Sequence, residues 1–337
     1  MITLDWTEQY DRLLHEAISK GRVAGELHGA PTEITESGLA HIFFYGDTVY
    51  KLYKTHADKD HFIKGVLAPT NRRTVFMEHD FALNKHFSGA VYKTLHSVYL
   101  EGEIAVVGPY DGSSIYTMAQ MSRLDFDTNL HGSLLSGDIN DDELELLGYQ
   151  TAQSIDTYTV TVPDEVNWYD LAKERVGFLS QFIDWLPTEF ASPLSEARVI
   201  EALEKHLEKH AEEYRQLKGG ALSVNIDNHD ENIFFIAGKP QTIDVLPPMS
   251  CWWYGPAHAN LSNIMVNIET LHSLEAAQSV QTGYCKYFAI DSLPTPSFGF
   301  THAFAQLISI AHFGSVPEKS AVTERYMQRV PEIASWL

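Results

Sequence analysis

The apolar positions of the first 120 residues alternate between helical and strand-like spacing. Helical spacing predicts helices over 7–20 and 71–87. Period-two spacing and β-branched residues predict strands at 41–45, 48–53, 97–100, 103–107 and 114–118. Gly46-Asp47 separates the first two of these strands and is typical of a hairpin turn. This part of the chain is therefore expected to form a mostly antiparallel sheet with one long helix inserted.

Beyond residue 121 the spacing of apolar residues becomes mainly helical. Helices are predicted over 141–156 and 193–217, and the part from 257 onward is also largely helical. A sheet-rich part followed by a helical part is an α+β arrangement. We therefore predict an α+β fold with an antiparallel-sheet N-terminal lobe over 1–118, a mostly helical C-terminal lobe over 119–337 and a cleft between them.

One polar segment interrupts the helical part of the chain. Eight residues, Asn225 to Asn232, lie between apolar strand segments and are nearly all polar. The strands around this loop are predicted at 221–224, 233–236 and 241–243. The last two form a hairpin that ends at Asp244 and brings this residue back beside the loop that holds Asp227 and Asn232. A run of this polarity between apolar strands is hard to explain by packing alone.

The residue types of this segment match the requirements of phosphoryl transfer. A carboxylate must accept the proton of the attacking hydroxyl, and an amide oxygen and a second carboxylate must hold Mg²⁺. Asp227 and Asn232 have the Asp-x₄-Asn spacing of a kinase catalytic loop, and Asp244 occupies the metal-binding position of the following hairpin. We predict Asp227 as the catalytic base and Asn232 and Asp244 as metal ligands.

The same interpretation requires a lysine on a strand of the first lobe, paired with an acid on the helix. Lys51 lies among apolar residues of the strand 48–53, where burial costs free energy unless the ammonium finds a partner. Glu78 and Asp80 on the next helix are both candidates for that partner. Taken alone, Lys51 is equally compatible with a solvent-facing position on an edge strand.

Four motifs in this order resemble the aminoglycoside phosphotransferase and choline kinase-like family, which has a protein-kinase-like fold. The resemblance runs from about residue 35 to 271, and it is strongest to the kinase domains that precede an ATPase module in certain bacterial fusion proteins. The motifs are Gly46-Asp47-Thr48-Val49-Tyr50-Lys51, Asp80 four residues before Asn84, Met121-Ser122-Arg123-Leu124, and the loop from Asn225 to Ile233.

The resemblance implies a small-molecule kinase that moves the γ-phosphoryl group of ATP or GTP onto a substrate hydroxyl with the help of Mg²⁺. It implies that Lys51 contacts the nucleotide phosphates and that the lobe 119–337 carries the acceptor site. Met121 belongs to the segment expected beside the nucleotide base. No glycine-rich phosphate loop is present, and Ser37-Gly38 is the only candidate for one.

The chain also departs from the family pattern. Asn225 replaces a histidine and Ile226 a glycine, and Pro247 stands where the family often has a glutamate. Acidic residues expected on the next helix appear as Asn260 or Asn263. These changes leave open an alternative, a pseudokinase-like nucleotide- or partner-binding module that lacks phosphotransfer.

The amino-acid composition narrows the classes of molecule that the protein is expected to bind. The 337 residues carry 45 acidic and 24 basic side chains, a net charge of −21 that repels nucleic acid and is compatible with a cationic acceptor. Cys251 and Cys285 lack metal-ligand spacing, and no apolar run approaches a membrane span of about 20 residues. A cytoplasmic protein without nucleic-acid or membrane partners is expected.

Two other hypotheses concern single segments. His229 and Asp230 beside Asp227 raise the possibility of a metal hydrolase, but the histidine pair on a helix that is typical of zinc enzymes is not found in the sequence. The aromatic segment from Cys251 to Tyr254 is either a core cluster or a wall of the substrate site.

Overall fold

The computed structural model describes residues 4–37, 40–54, 70–112, 114, 116–225, 228–245 and 254–337. The chain divides into two compact units, Met1–Asp125 and Phe126–Leu337. No helix within the described ranges is both long and apolar enough to cross a membrane.

The first unit consists of a seven-stranded sheet and two helices. The helices are α1 (Leu4–Ser19) and α2 (Thr70–Phe87). The strands are β1 (Val23–Gly25), β2 (Glu33–Glu36), β3 (Ala40–Tyr45), β4 (Thr48–Tyr53), β5 (Tyr92–Glu101), β6 (Ile104–Pro109) and β7 (Thr117–Ser122). Their order is β1-β6-β5-β7-β4-β3-β2, and every neighbouring pair is antiparallel except β1 and β6.

Local chemistry explains why these elements form. Gly46 adopts a left-handed backbone with φ 63°, which the tight turn between β3 and β4 requires and which glycine adopts without strain. The helical face of α1 that carries Leu14, Ala17 and Ile18 is fully buried against the sheet, in a core that includes Phe43. The helix predicted over 7–20, the hairpin at Gly46 and the helix predicted over 71–87 are confirmed.

Strand β7 lies between β4 and β5, in the middle of the sheet. The strand predicted over 114–118 is found at Thr117–Ser122. The predicted lobe boundary between 118 and 119 falls inside this strand, whereas the first unit extends to Asp125.

The second unit is mainly helical. Its helices are α3 (Leu130–Ser136), α4 (Asp141–Thr157), α5 (Trp168–Trp185), α6 (Thr188–Glu196), α7 (Val199–Lys209), α8 (Ala211–Gln216), α9 (Ala259–Leu271), α10 (Leu274–Phe288), α11 (Thr295–Gly314), α12 (Ser320–Gln328) and α13 (Ile333–Trp336). Its strands are β8 (Ser223–Val224), β9 (Ile233–Ile236), β10 (Lys239–Thr242) and β11 (Tyr254–Gly255). Strand β9 pairs with β10, and β8 pairs with β11, both antiparallel.

The core of the second unit is built around α9 and α11, whose residues are buried on nearly every side. Helix α4 begins with a capping box in which Asn140 and Glu143 satisfy each other's backbone N–H groups. This cap confirms the helix predicted over 141–156. The unit as a whole confirms the predicted α+β class, since the first unit holds the large sheet and this one most of the helices.

The single helix predicted over 193–217 is wrong, because the structure contains α6, α7 and α8 instead. Arg198 adopts a left-handed backbone with φ 53°, which ends one helix and starts the next. Pro193 lies inside α6 and does not begin a helix, although proline is most common in a first turn. The apolar spacing continues across these breaks because all three helices pack on the same core.

Candidate functional site

Lys51 lies in the centre of β4, where β3 pairs with it on one side and β7 on the other. Its residue is 4% exposed, so the edge-strand alternative for this lysine is wrong. The ammonium group lies 4.8 Å from the centroid of the Tyr53 ring, within the range of a cation–π contact.

Tyr53 links Lys51 to the helix α2. The Tyr53 hydroxyl donates a hydrogen bond to Oδ1 of Asp80 at 3.0 Å, and Asp80 is 1% exposed. The side-chain amide of Asn84 donates to the same oxygen at 3.1 Å. The spacing of Asp80 and Asn84 thus serves a buried hydrogen-bonded cluster in which Tyr53 contacts both Lys51 and the carboxylate.

Glu78, the other candidate partner of Lys51, points elsewhere. It is exposed and accepts a hydrogen bond from the Tyr110 hydroxyl. Burial of Tyr110, together with its bond to this carboxylate, raises the pKa of the phenol above its usual value. Of the two acids, the structure brings Asp80 and not Glu78 to the aromatic ring that Lys51 contacts.

Ser37 and Met121 occupy different settings in the first unit. Ser37 ends the β2 side of the turn into β3, where its hydroxyl accepts a hydrogen bond from the backbone N–H of Ala40 at 3.0 Å. Gly38, the other half of the candidate phosphate segment, lies outside the described residues. Met121 is buried within β7 between β4 and β5, so it belongs to the sheet rather than to a connecting segment.

In the second unit the polar loop leads directly into the hairpin β9–β10. Asn232 ends a short 3₁₀ segment, and its backbone carbonyl accepts a hydrogen bond from the N–H of Ile243 at 2.8 Å. This bond extends the hairpin pairing by one residue and brings the chain just before Asp244 beside Asn232. The side-chain nitrogen Nδ2 of Asn232 lies 3.0 Å from Nε2 of His229.

Asp244 has an unusual backbone. Its φ is 55°, in the left-handed region that few residues other than glycine and asparagine adopt. Such conformations cost about 1–3 kcal/mol and cluster at functional sites. The backbone of Asp244 turns immediately after β10, at the position predicted for a metal ligand. Pro247 and the part of the aromatic segment from Cys251 to Trp253 lie outside the described residues.

Asp227, the predicted base, and Ile226 also lie outside the part of the chain that the structure describes. The residues on either side are anchored. Strand β8, which precedes the loop, is held by Asn260, whose amide donates to the Val224 carbonyl at 2.9 Å. After the loop position, Asn228 is fully buried and its Oδ1 accepts from the Thr242 hydroxyl at 3.2 Å.

A buried hydrogen-bond network is centred on Asp230 of this loop. Asp230 is 0% exposed; its Oδ2 lies 2.6 Å from Nδ1 of His131, and its Oδ1 accepts from Asn267 at 3.0 Å. Asn267 in turn accepts from the Tyr326 hydroxyl at 2.9 Å. Burial disfavours the charged imidazole, but the hydrogen bond and charge of Asp230 outweigh this and raise the pKa of His131.

Glu231 of the same loop meets Lys319 and His312, one at each of its carboxylate oxygens. Burial alone would raise its pKa, but hydrogen bonds to His312 and Lys319 outweigh burial and lower the pKa of Glu231 to about 2. Asp230 and Glu231 therefore connect the loop to different helices immediately before Asn232, Asp230 to α3 and α9 and Glu231 to α11.

No protein-family model matches the sequence, and no curated protein matches it either. Solved structures are similar in fold. A thermostable mutant of the aminoglycoside phosphotransferase APH(4)-Ia is 13% identical, and the match covers 91% of this chain and 95% of that one with a TM-score of 0.50. The chain has a protein-kinase-like fold.

Two further structures share this fold. Glucosamine kinase, solved in complex with glucosamine, ADP and inorganic phosphate, is 12% identical over 87% of this chain and 78% of that one, with a TM-score of 0.51. The choline kinase LicA from Streptococcus pneumoniae is 10% identical over 90% and 94% of the two chains, with a TM-score of 0.50. These likenesses confirm the resemblance of the fold that the order of motifs predicted.

Within the protein-kinase-like fold, sequence reasoning missed the residues that support the loop. His131 and Asn267 were not singled out, because they lie 99 and 37 residues from Asp230 along the chain. A signal was present for Asp230 alone among these residues, since the loop from Asn225 to Asn232 holds two acids, Asp230 and Glu231, beyond the one that the predicted catalytic set requires. Its burial became visible only once the helices were placed.

Proposed function

We propose that this protein is a small-molecule kinase that transfers the γ-phosphoryl group of ATP or GTP to a hydroxyl group of its acceptor. The observation that carries the proposal is the hydrogen bond between the Asn232 carbonyl and the Ile243 N–H. It brings an amide side chain and the segment leading to the Asp244 carboxylate together at one end of a hairpin. The protein-kinase-like fold supports the same proposal.

Mg²⁺ fits the donor set of this hairpin. Asn232 and Asp244 offer an amide oxygen and a carboxylate, the hard oxygen ligands that Mg²⁺ prefers. The left-handed backbone of Asp244 is a strained feature of the kind that clusters at functional sites. When bound, the ion neutralises negative charge on the nucleotide phosphates.

Lys51 binds the nucleotide phosphates in this proposal. Its ammonium emerges from a central strand beside the Tyr53 ring, and Tyr53 is itself oriented by the hydrogen bond to Asp80. A lysine held in this way loses little side-chain entropy when it meets an anion, because burial has already restricted its rotamers. Asp80 therefore positions Lys51 through Tyr53.

Asp227 accepts the proton of the acceptor hydroxyl in this proposal and orients its oxygen toward the phosphorus atom. The assignment rests on the Asp-x₄-Asn spacing to Asn232 and on the anchoring of both flanks of the loop. A loop anchored on two sides can hold its acid within the small tolerance that positioning catalysis requires.

The class of acceptor follows from chemistry shared among proteins of similar fold. Their names describe the phosphorylation of aminoglycosides, glucosamine and choline, all of which carry both a hydroxyl group and a cationic nitrogen. A net charge of −21 favours such acceptors because it attracts cations over a distance of several ångströms. We propose a small hydroxyl compound with an amino or ammonium group.

A nucleotide-binding module without phosphotransfer is the second candidate. Asn260 favours it, because this residue stands where an acid is expected and its buried amide is already used to hold β8. The two candidates differ in turnover and not in nucleotide binding.

The test compares purified wild-type protein with Asp227→Ala, Asp244→Asn and the exposed control Asp138→Asn. Nucleotide binding is measured as a rise in melting temperature with ATP or GTP, with and without Mg²⁺. Transfer is measured as ADP or GDP release with a panel of aminoglycosides, amino sugars and amino alcohols. We expect Asp227→Ala to abolish transfer and keep nucleotide binding, Asp244→Asn to remove the effect of Mg²⁺, and Asp138→Asn to change neither.

Transfer that survives Asp227→Ala would contradict the assigned base. Nucleotide stabilisation that does not require Mg²⁺, with no turnover on any acceptor, would favour the binding module. Protein that shows no stabilisation by either nucleotide would rule out both candidates.

A further inference from the structure

Two histidines and a glutamate meet on the face of the sheet that α1 covers. Glu36 on β2 and His41 on β3 are direct partners in the strand register. His15 on α1 places its ring 4.3 Å from the ring of His41. The three potential ligand atoms all lie within 4.8 Å of one another.

The distances in this cluster are close to those of a metal centre. Nδ1 of His41 lies 3.3 Å and Nε2 of His15 lies 3.9 Å from the same oxygen, Oε1 of Glu36. Ligands about 2.0–2.2 Å from a tetrahedral zinc ion are about 3.3–3.5 Å apart. The His41–Glu36 distance already meets this value, and the His15–Glu36 distance exceeds it by about 0.5 Å.

His41 has a nitrogen that the fold leaves unused. Its Nδ1 is shielded from solvent and makes no hydrogen bond within the described residues, although Glu36 is near. This nitrogen lies 3.3 Å from Oε1 of Glu36, so both atoms can bind the same ion.

Lys54 is the main competitor for the carboxylate. Its ammonium lies 3.1 Å from Oε2 of Glu36 and donates to the Ser37 carbonyl at 2.8 Å. It therefore occupies the other oxygen and leaves Oε1 facing both imidazoles. Its positive charge weakens the attraction of the cluster for a cation without blocking the ligand atom.

We propose that His15, Glu36 and His41 bind one divalent transition-metal ion of the zinc class, with water as a fourth ligand. Two imidazoles and one carboxylate are a ligand set that zinc prefers over magnesium or calcium. The ion cross-links α1 to the β2–β3 hairpin next to Ser37. This inference does not depend on the proposed kinase activity, because none of the three ligands belongs to the residues proposed to bind nucleotide or Mg²⁺ or to act as the base.

A second group of similar composition provides an internal control. His229, Glu231 and His312 also lie within 4.8 Å of one another. As with Glu36 and Lys54, one oxygen of Glu231 meets a lysine, Lys319, and the other lies near a histidine, His312. This group also adjoins Asn232, so a metal bound to it would be expected to disturb the predicted Mg²⁺ position.

The test titrates full-length protein, freed of metal by chelation, with ZnCl₂ in an isothermal calorimeter and with CoCl₂ in a visible-absorption spectrometer. We expect one Zn²⁺ per chain at the tight site, a rise in melting temperature, and the intense visible bands of four-coordinate Co²⁺. Glu36→Gln and His15→Gln should weaken binding by more than about tenfold, the smallest loss usual when metal-site partners are removed. The matched control His312→Gln should leave this site unchanged.

The variant Lys54→Gln is expected to have the opposite effect on the affinity for Zn²⁺. Removing its charge should tighten Zn²⁺ binding several-fold, whereas a general loss of structure would weaken it. Glu36 is 52% exposed, so Glu36→Gln is expected to fold, and its far-ultraviolet circular dichroism checks this. The proposal is overturned if no Zn²⁺ binds, or if binding survives Glu36→Gln and His15→Gln; loss in His312→Gln would then assign the ion to the second group.

Discussion

At the scale of single residues, each unit holds a buried carboxylate that adjoins predicted functional residues and is bound by side chains from other elements. Asp80 accepts from Tyr53 in the first unit, and Asp230 is held by His131 and Asn267 in the second. A buried charge is tolerated only where partners compensate its desolvation. Both clusters adjoin predicted functional residues, so their loss should affect function through position as well as stability.

Asp80 and Glu78 form a matched pair for testing the first cluster. Asp80→Asn keeps the shape of the side chain and an oxygen for Tyr53, but it removes the negative charge. We expect the free energy of unfolding to fall by about 1–3 kcal/mol, and stabilisation by nucleotide to decrease because Tyr53 and Lys51 shift. Glu78→Gln, at an exposed site, should change stability by less than about 0.5 kcal/mol. Urea denaturation and thermal shift with ATP measure both quantities; equal effects would contradict the role of Asp80.

His131 gives the second cluster a dependence on pH. Because the pKa of His131 is raised in the folded state, its stabilising contribution is complete below the unfolded pKa of about 6.5 and is lost as pH rises through the folded value. His131→Ala should lower the free energy of unfolding by about 3 kcal/mol near pH 6, and by less at higher pH. The exposed control His272→Ala should show neither effect. Denaturation from pH 5.5 to 8.5 tests this, and a loss independent of pH would show that the charge of His131 does not contribute.

At the scale of secondary structure elements, α4 and α10 approach each other through two glycines. A Cβ atom on Gly148 would lie 1.9 Å from the Val280 carbonyl oxygen, and one on Gly283 would lie 1.8 Å from that of Glu145. Real Cβ atoms never come this close to a backbone oxygen, so the two helices are in backbone contact at both points. This contact joins the helix that follows α3 to the one that follows α9.

Two glycine-to-alanine substitutions distinguish the effect of this backbone contact on stability from the effect of helix propensity. Gly283→Ala forces the helices apart and should destabilise the protein by about 1–3 kcal/mol or more. Gly177 lies in α5, where an added methyl group would have no atom of another element within 4 Å, so Gly177→Ala should stabilise by up to about 1 kcal/mol through propensity alone. Urea denaturation of both variants tests the difference in sign. A harmless Gly283→Ala would mean that α4 and α10 are not in backbone contact.

The elements that could be predicted from the sequence are those specified by residues close together along the chain. Helix α1 and the β3–β4 hairpin were predictable because their apolar spacing and the glycine at the turn act within a few residues. The break at Arg198 was not, because neither glycine nor proline marks it and the apolar residues of α6 and α7 pack on the same core on both sides of it. The Asp-x₄-Asn spacing of Asp227 and Asn232 was visible for the same local reason, whereas the partners of Asp230 depended on the tertiary fold.

At the scale of the whole molecule, charge is the dominant property. The chain has 45 acidic and 24 basic residues, so negatively charged side chains on its surface repel one another. Local ion pairs such as Lys20–Glu16 and Lys286–Glu145 nevertheless form. Exposed pairs of this kind contribute little, with a median of about 0–1 kcal/mol each. When salt is added, the relief of repulsion among the surplus acids is therefore expected to outweigh the weakening of these ion pairs.

Raising the salt concentration should accordingly stabilise the protein. Between about 0.01 and 0.15 M ionic strength the Debye length falls from about 30 to 8 Å, which screens repulsion between separated acids more than attraction within contacting pairs. We expect the melting temperature to rise by a few degrees as NaCl increases to 0.5 M, with most of the rise below 0.15 M. Sucrose of equal osmolality serves as a control that favours compact states without screening charge. The double variant Asp138→Asn, Glu318→Gln, which removes two exposed negative charges, should show a smaller rise than the wild type. A melting temperature that falls with NaCl would mean that ion pairs, and not the net charge, dominate the electrostatics of folding.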